Sequence, residues 1–179
     1  MRVVLFLLDT VFFALVGAAL LRAWMNTLRL RMTQQPGLFV MAVTDWAVMP
    51  LRKALPRRWR QANADWGSLL AAVLFCLLYA VVWHLLAAGP GRSGGWVVTL
   101  PMMAVWFGLR TVLQLLMWLV LGFAVLSWVQ PHSLVIAVLS RLVDPFLRPL
   151  RRVVPTLGGV DLSALALLLL LQIGLMLLG

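Results

Sequence analysis

A short string of polar, basic and proline residues occurs twice in this chain, at 44–56 and at 143–155. Aligned without gaps, TDWAVMPLRKALP and VDPFLRPLRRVVP share an aspartate, two prolines, a leucine and an arginine. The matching pairs are Asp45/Asp144, Pro50/Pro149, Leu51/Leu150, Arg52/Arg151 and Pro56/Pro155, with Lys53 opposite Arg152. Because each copy lies between two long apolar stretches, the repeating unit is an apolar helix, a basic loop and a second apolar helix. The sequence therefore predicts an internal duplication.

The apolar stretches predict a membrane protein. Hydrophobic residues make up 64% of the chain and charged residues only 11%, too few to cover a domain with a polar surface in water. Four stretches approach the ~20 residues that a helix needs to cross the hydrocarbon. These predicted spans are 3–21, 66–88, 111–129 and 162–178. The predicted fold class is all-α, a polytopic helical membrane protein with four transmembrane helices.

The distribution of charge predicts the orientation of the spans. Lysine and arginine number fifteen against five acidic residues, and most cations lie in the two loops 22–65 and 130–161. Positive loops stay in the cytoplasm, so an even number of crossings must separate these two loops. The apolar stretch 96–109, which contains Pro101, is therefore predicted to lie at the outer interface, or to be a bent extension of the third span. A fifth crossing would place the second basic loop outside.

This topology divides the chain into two parallel repeats. The first, 1–95, has spans 3–21 and 66–88 around the loop 22–65. The second, 96–179, has the interfacial stretch 96–109, then spans 111–129 and 162–178 around the loop 130–161. Within the loops, the short apolar segments 38–43 and 134–142 predict interfacial helices, or partly re-entrant helices buried against the spans.

The repeated motif has a predicted local structure. Asp144 followed by Pro145 is typical of a helix start, since aspartate accepts from free N–H groups and proline suits the first helical position. Pro50 and Pro149 are expected to end or bend the helix, so that the neighbouring cations emerge together. An ion pair within the motif is also expected, Asp45 with Arg52 or Asp144 with Arg151.

Two interpretations of the motif remain open. In the simpler one, these residues cap and fasten a loop without binding anything. In the functional one, arginine pairs from the two repeats meet and hold a phosphate or lipid headgroup. The candidate ligands are Arg52, Lys53, Arg151 and Arg152. Asp65 and Asp161 match between the repeats, and each is predicted to cap the following span.

Polar residues within the spans are further candidates. Asp9 lies in the first span, where a carboxylate is by default functional and needs a partner. Gln114 and Gln172 could hydrogen bond between helices or line a narrow polar path. The sequence contains no glutamate, no metal-ligand spacing and no glycine-rich phosphate loop, so neither an enzyme nor a cofactor or metal site is predicted. Nucleic acid binding is less favoured than membrane-surface binding, because the cations lie in loops beside spans.

The motifs also resemble those of the YggT family of bacterial membrane proteins, over nearly the whole chain. The resemblance includes LLRAWMNT at 20–27, AVLSWVQ at 124–130 and LGGVDLS at 157–163. The second copy matches the family pattern at Ser127, Trp128, Asp144, Pro145, Leu147, Pro149, Arg151, Arg152, Pro155, Gly158, Gly159, Asp161 and Ser163. It departs at Ala164, where proline is usual, and the first copy has Trp46 in place of proline.

The resemblance implies a location in the bacterial inner (cytoplasmic) membrane. Bacterial relatives are linked to osmotic-shock tolerance and potassium uptake. Plastid and cyanobacterial relatives are linked to nucleoid or division organisation and, in one branch, to haem attachment.

Two functions follow as hypotheses. In the first, the protein is a small scaffold or assembly factor whose basic loops bind anionic lipid headgroups and a protein partner or a second copy. The alternative is a potassium channel or transport accessory that uses Asp9, Gln114 and Gln172 as polar groups of a pore, although spans this apolar offer few groups to replace an ion's hydration shell. No small-molecule substrate is indicated.

Overall fold

The structure is a computed structural model that describes residues 2–30, 36–55, 65–88, 96–130, 133–152 and 162–179. Six helices and no strand occur in these ranges, which confirms the all-α prediction. The helices are α1 Arg2–Thr27, α2 Gly37–Ala54, α3 Trp66–Ala88, α4 Trp96–Val129, α5 Leu134–Arg151 and α6 Leu162–Leu178.

Three of the helices, α1, α3 and α4, are long and apolar enough to cross a membrane. The protein is thus membrane-embedded, as predicted. The apolar helix α6 has 17 residues and extends about 26 Å at about 1.5 Å per residue, slightly less than a hydrocarbon core of about 30 Å. The fourth crossing therefore stays a prediction.

Helix α4 joins two stretches that the sequence treats separately. It runs without interruption for 34 residues, from the predicted interfacial stretch through the predicted third span. Pro101 lies within its second turn, where it removes the backbone donor that would bond to the carbonyl of Val97, and the helix continues past it. The stretch 96–109 is therefore an extension of the third span, and its depth in the bilayer stays a prediction.

The chain forms two compact units, Met1–Thr111 and Val112–Gly179. In the first unit, α1, α2, α3 and the first part of α4 share a core in which small residues such as Ala19, Ala71 and Ala80 allow close helix approach. The core of the second unit is built from aliphatic residues of α4, α5 and α6, including Val120, Leu147 and Leu167. The predicted repeats, 1–95 and 96–179, concern sequence ancestry and stay a prediction.

The segments 38–43 and 134–142 are helical, but their helices continue through the repeated motif. Helix α5 begins at Leu134, and Ser133 caps it by accepting a hydrogen bond from the Ile136 N–H at 3.3 Å. The predicted helix start at Asp144 is therefore wrong, since Asp144 lies in the middle of α5.

Of the two outcomes expected at Pro50 and Pro149, a helix end is wrong, because α2 and α5 run past these prolines, and a bend stays a prediction. Both proline rings lie on exposed faces, while the opposite faces bury residues such as Val48 and Leu147. Packing of these buried faces keeps the backbone helical despite the lost hydrogen bonds.

Candidate functional site

Helix α2 lies across the ends of α1 and α3 that adjoin the basic segment 22–65, which we call the basic end. An ion pair fastens it to α1, since Arg22 Nη1 donates to Asp45 Oδ1 at 2.7 Å and to Thr44 Oγ1 at 2.7 Å. Arg22 is only 4% exposed, although it carries a full charge. A buried guanidinium needs such partners, because an unpaired charge away from water is costly.

A second ion pair fastens α2 to the start of α3. Arg52 binds Asp65 with two nitrogens, Nη2 donating to Oδ2 and Nε donating to Oδ1 at 3.2 Å. This is the fork geometry that makes arginine–carboxylate pairs strong and specific. The stem of Arg52 crosses Gly67 so closely that a Cβ on residue 67 would overlap Cγ of Arg52.

Asp65 also occupies the N-cap position of α3. Its carboxylate accepts from the Ser68 N–H at 3.3 Å and from Ser68 Oγ at 2.7 Å. Burial alone would raise the pKa of Asp65, but the hydrogen bonds from Arg52 and Ser68 and the positive charge of Arg52 outweigh it, and the pKa lies below its usual range. The carboxylate is therefore ionised at neutral pH and holds both partners.

The equivalent aspartate of the second repeat finds its partners within its own helix. Asp144 accepts from Arg148 Nε at 2.7 Å and from Arg151 Nη1 at 3.3 Å. The first copy has Met49 at the position that matches Arg148. Asp45 therefore has no cation four residues later in its own helix and forms its ion pair with Arg22 of α1. The two copies of the motif thus share a sequence and differ in their ion pairs.

The outward face of α5 is strongly basic. Arg141, Arg148 and Arg152 are exposed and, at spacings of seven and four residues, follow one side of the helix over about 16 Å. Arg152 is the C-cap and keeps a helical backbone conformation, so it continues this side. The opposite face of α5, which includes Val143 and Leu147, is buried in the core of the second unit. We call Arg141, Arg148 and Arg152 the arginine stripe.

The remaining sequence candidates are not gathered into one site. Asp9 accepts a hydrogen bond from Tyr79 OH at 2.7 Å, which joins α1 to α3. Gln114 is half-buried and Gln172 is exposed, and no hydrogen bond joins them in the described ranges. Lys53 is exposed at the end of α2. Pro56, Pro155 and Asp161 lie outside the described residues.

Sequence reasoning missed several residues of these contacts, including Thr44 and Arg148. Arg22 was counted only as a loop cation, although it is buried, and nothing in its local sequence indicates its partner. Ser68, three residues after Asp65, could have been identified from the sequence, because this spacing is a helix-capping signal. Tyr79 lies within an apolar span, where only the packing of α3 against α1 brings it to Asp9. Among the described residues, no group of three or more His, Cys, Asp or Glu side chains could hold a metal.

Fold and contacts together define the class of protein: a helical membrane protein with repeated basic motifs, in which a motif helix is fastened to the spans beside it. The chain belongs to the CCB3/YggT family, whose model matches residues 1–86 and 102–179.

Similar proteins are known in several bacteria. An uncharacterized protein YggT of Escherichia coli K12 is 34% identical over 179 residues, covering 97% of this chain and 87% of the relative. An uncharacterized protein encoded in the proC 3' region of Vibrio alginolyticus is 31% identical and covers 97% of this chain and 92% of the relative. An uncharacterized protein of Haemophilus influenzae is 27% identical over 153 residues, with 85% and 78% covered. No solved structure gives a significant match.

Proposed function

We propose that this protein is a membrane scaffold whose arginine stripe binds anionic lipid headgroups at the cytoplasmic surface of the inner membrane. In this role the bound headgroups hold α5 at a fixed depth, where it recruits a partner protein or a second copy. The family resemblance favours a role in envelope organisation or in osmotic-shock tolerance.

One observation carries the proposal: the arginine stripe faces outward while the opposite face of α5 is held by apolar packing. The stripe is thus presented on a folded helix, whose backbone loses little freedom when the arginines bind. A guanidinium also donates two parallel hydrogen bonds to a phosphate, which a lysine ammonium does not.

The strength of the attraction between α5 and an anionic leaflet follows from the charge of this helix. Between residues 133 and 152 the chain has four arginines and one aspartate, a net charge of three. Each cation near an anionic leaflet contributes about 1 kcal/mol, so the attraction is about 3 kcal/mol before screening by salt. Because Arg148 is paired with Asp144, it contributes less to this attraction, and Arg141 and Arg152 contribute most.

The test compares lipid preference in reconstituted vesicles of phosphatidylcholine. The motionally restricted fraction of spin-labelled phosphatidylglycerol, relative to spin-labelled phosphatidylcholine, measures how strongly the protein prefers the anionic headgroup. We expect wild-type protein to prefer phosphatidylglycerol and the triple variant Arg141→Gln, Arg148→Gln, Arg152→Gln to lose most of that preference.

Two controls make the result specific. The triple lysine variant at the same positions keeps the charge and is expected to keep part of the preference. Arg2→Gln removes an exposed cation at the other end of α1 and is expected to change nothing. An unchanged preference in the triple glutamine variant would refute headgroup binding by the stripe.

Recruitment of a protein is tested separately in cells. Proximity labelling from a tag fused to the chain should mark fewer proteins in the triple glutamine variant than in wild type, at equal membrane levels. The same labelling pattern in both would refute the scaffold role of α5 and leave lipid binding to be judged by the vesicle result.

A further inference from the structure

The exposed side of α2 is apolar, in contrast to the arginine stripe of α5. Before Lys53, every residue that α2 exposes is apolar: Leu38, Phe39, Ala42, Trp46, Met49 and Pro50. The charged residues of this helix before Lys53, Asp45 and Arg52, are turned to α1 and α3 by their ion pairs. We call the exposed residues Leu38, Phe39, Ala42, Trp46 and Met49 the apolar face of α2.

Trp46 is the largest residue of this face and is 64% exposed. Its single polar atom is already satisfied, because Nε1 donates to the backbone oxygen of Val43 at 2.7 Å within the same helix. The indole therefore needs neither water nor a partner's acceptor. A tryptophan at a protein interface or at headgroup level usually directs this N–H outward to such a partner.

Contacts with α3 place the apolar face alongside this helix. The centroid of the Trp46 ring lies 5.7 Å from that of Phe75. Phe75 follows the first residue of α3, Trp66, by nine residues, a distance of about 14 Å along the helix axis. Val48 belongs to the same buried cluster as Ala71 and Ala72. Because α3 is long enough to cross a hydrocarbon core of about 30 Å, these contacts place the middle of α2 alongside a candidate membrane span.

We propose that the apolar face of α2 is immersed among the lipid acyl chains of the leaflet at the basic end, the cytoplasmic leaflet in the predicted orientation. The two repeats have then diverged in what their motif helices contact. The first repeat contacts hydrocarbon through Trp46 and Met49, and the second contacts headgroups through the arginine stripe. Only the statement about α5 rests on the proposed function, since that about α2 rests on its own contacts.

A lipid occupant fits these observations better than a protein. Protein–protein interfaces have a polar rim with hydrogen bonds around their apolar centre, and the apolar face of α2 has no free polar side chain for such a rim until Lys53. The neighbouring span α3 likewise exposes aliphatic residues such as Val73, Leu74 and Leu77. None of the side chains that α2 exposes before Lys53 is polar, which suits contact with hydrocarbon.

The main test measures the depth of spin labels in vesicles of phosphatidylethanolamine and phosphatidylglycerol. In a Cys76→Ala background, single cysteines replace Ala42 or Met49 on the apolar face, with Lys53→Cys and Arg148→Cys as comparators. Collisions with oxygen report exposure to hydrocarbon, and collisions with a water-soluble nickel chelate report exposure to water. We expect oxygen collisions to exceed nickel collisions severalfold at residues 42 and 49, and the order to be reversed at residue 148.

The other outcomes each overturn the proposal. Nickel collisions that dominate at residues 42 and 49 would place α2 in water. Labels that are immobile and shielded from both reagents would show a protein partner on this face. Spectral broadening that disappears when labelled protein is diluted with unlabelled protein would show a second copy. None of these results depends on the phosphatidylglycerol preference of α5, so failure of either proposal is distinguishable from failure of the other.

A second measurement avoids cysteine substitution. Lipids brominated within the acyl chains quench tryptophans that lie in the hydrocarbon, and the difference between wild type and Trp46→Phe isolates the contribution of Trp46. We expect the fluorescence assigned to Trp46 to be quenched strongly by lipids brominated on their chains and weakly by acrylamide in water. The opposite order would overturn the immersion of Trp46.

Discussion

The buried ion pair between Arg22 and Asp45 gives an asymmetric prediction. Its two members differ in burial, since the side chain of Arg22 is 5% exposed and that of Asp45 is 35% exposed. Replacing Asp45 with leucine leaves the buried guanidinium bonded to the uncharged Thr44, whereas replacing Arg22 with methionine leaves a carboxylate that is only partly buried. The aspartate variant should therefore be the more harmful one.

The expected magnitudes follow from burial. Breaking a buried pair by removing one partner costs about 3–5 kcal/mol, and we assign this range to Asp45→Leu. Loss of hydrogen bonds to a partly exposed charged group costs about 1.5–3 kcal/mol, and we assign this range to Arg22→Met. The double variant removes both charges and replaces them with apolar side chains, so it should recover much of the loss.

The assay is unfolding of the purified protein by sodium dodecyl sulfate in mixed micelles, followed by circular dichroism. Arg148→Met is the matched control, because its pair with Asp144 is exposed and one helical turn long, and such pairs contribute about 0.5 kcal/mol or less. Two results would refute this role of burial: Arg22→Met lowering the free energy of unfolding as much as Asp45→Leu, or the double variant lowering it by the sum of the two single effects.

Two further predictions concern the contacts at the start of α3. Gly67→Ala should displace Arg52 from Asp65 and cost about 1–3 kcal/mol in the same assay, and the substitution should be nearly harmless in an Arg52→Ala background, where the obstructing side chain is absent. The pKa of Asp65 is lowered in the folded protein, so its pair stabilises the fold fully above the ordinary value of 3.8 and loses this contribution as the pH falls through the folded pKa. Unfolding measured against pH should show this acid limb in wild type and lack it in Asp65→Asn; an identical limb in both would contradict the assignment.

Much of the fold could be predicted from local sequence. The spans at 3–21, 66–88 and 111–129 have the length and hydropathy of crossing helices, and helices occur there. The motif helices were predicted too short, because proline and aspartate are strong signals of helix ends in isolated segments. In α2 and α5, packing of the buried face outweighs those signals, and no local pattern reports how well a face will pack.

The candidate site was less predictable, since its ion pairs join residues that are far apart in sequence. Arg52 was expected near Asp45 and binds Asp65, while Asp45 binds Arg22. Each of these pairs joins an arginine to an aspartate, as the sequence predicts. Which cation reaches which carboxylate depends on how α2 crosses α1 and α3.

The sequence by itself determined that this chain is a helical membrane protein with one motif present twice, because hydrophobicity, charge and repeated residues can be recognised without knowledge of the contacts. Only the tertiary structure decided that two copies of one motif present different faces, apolar in α2 and basic in α5. The residue at a single position, Arg148 in one copy and Met49 in the other, changes the partners of the motif aspartate. Such choices are settled by the free energy of burying each charge among its actual neighbours, and those neighbours exist only once the helices have packed.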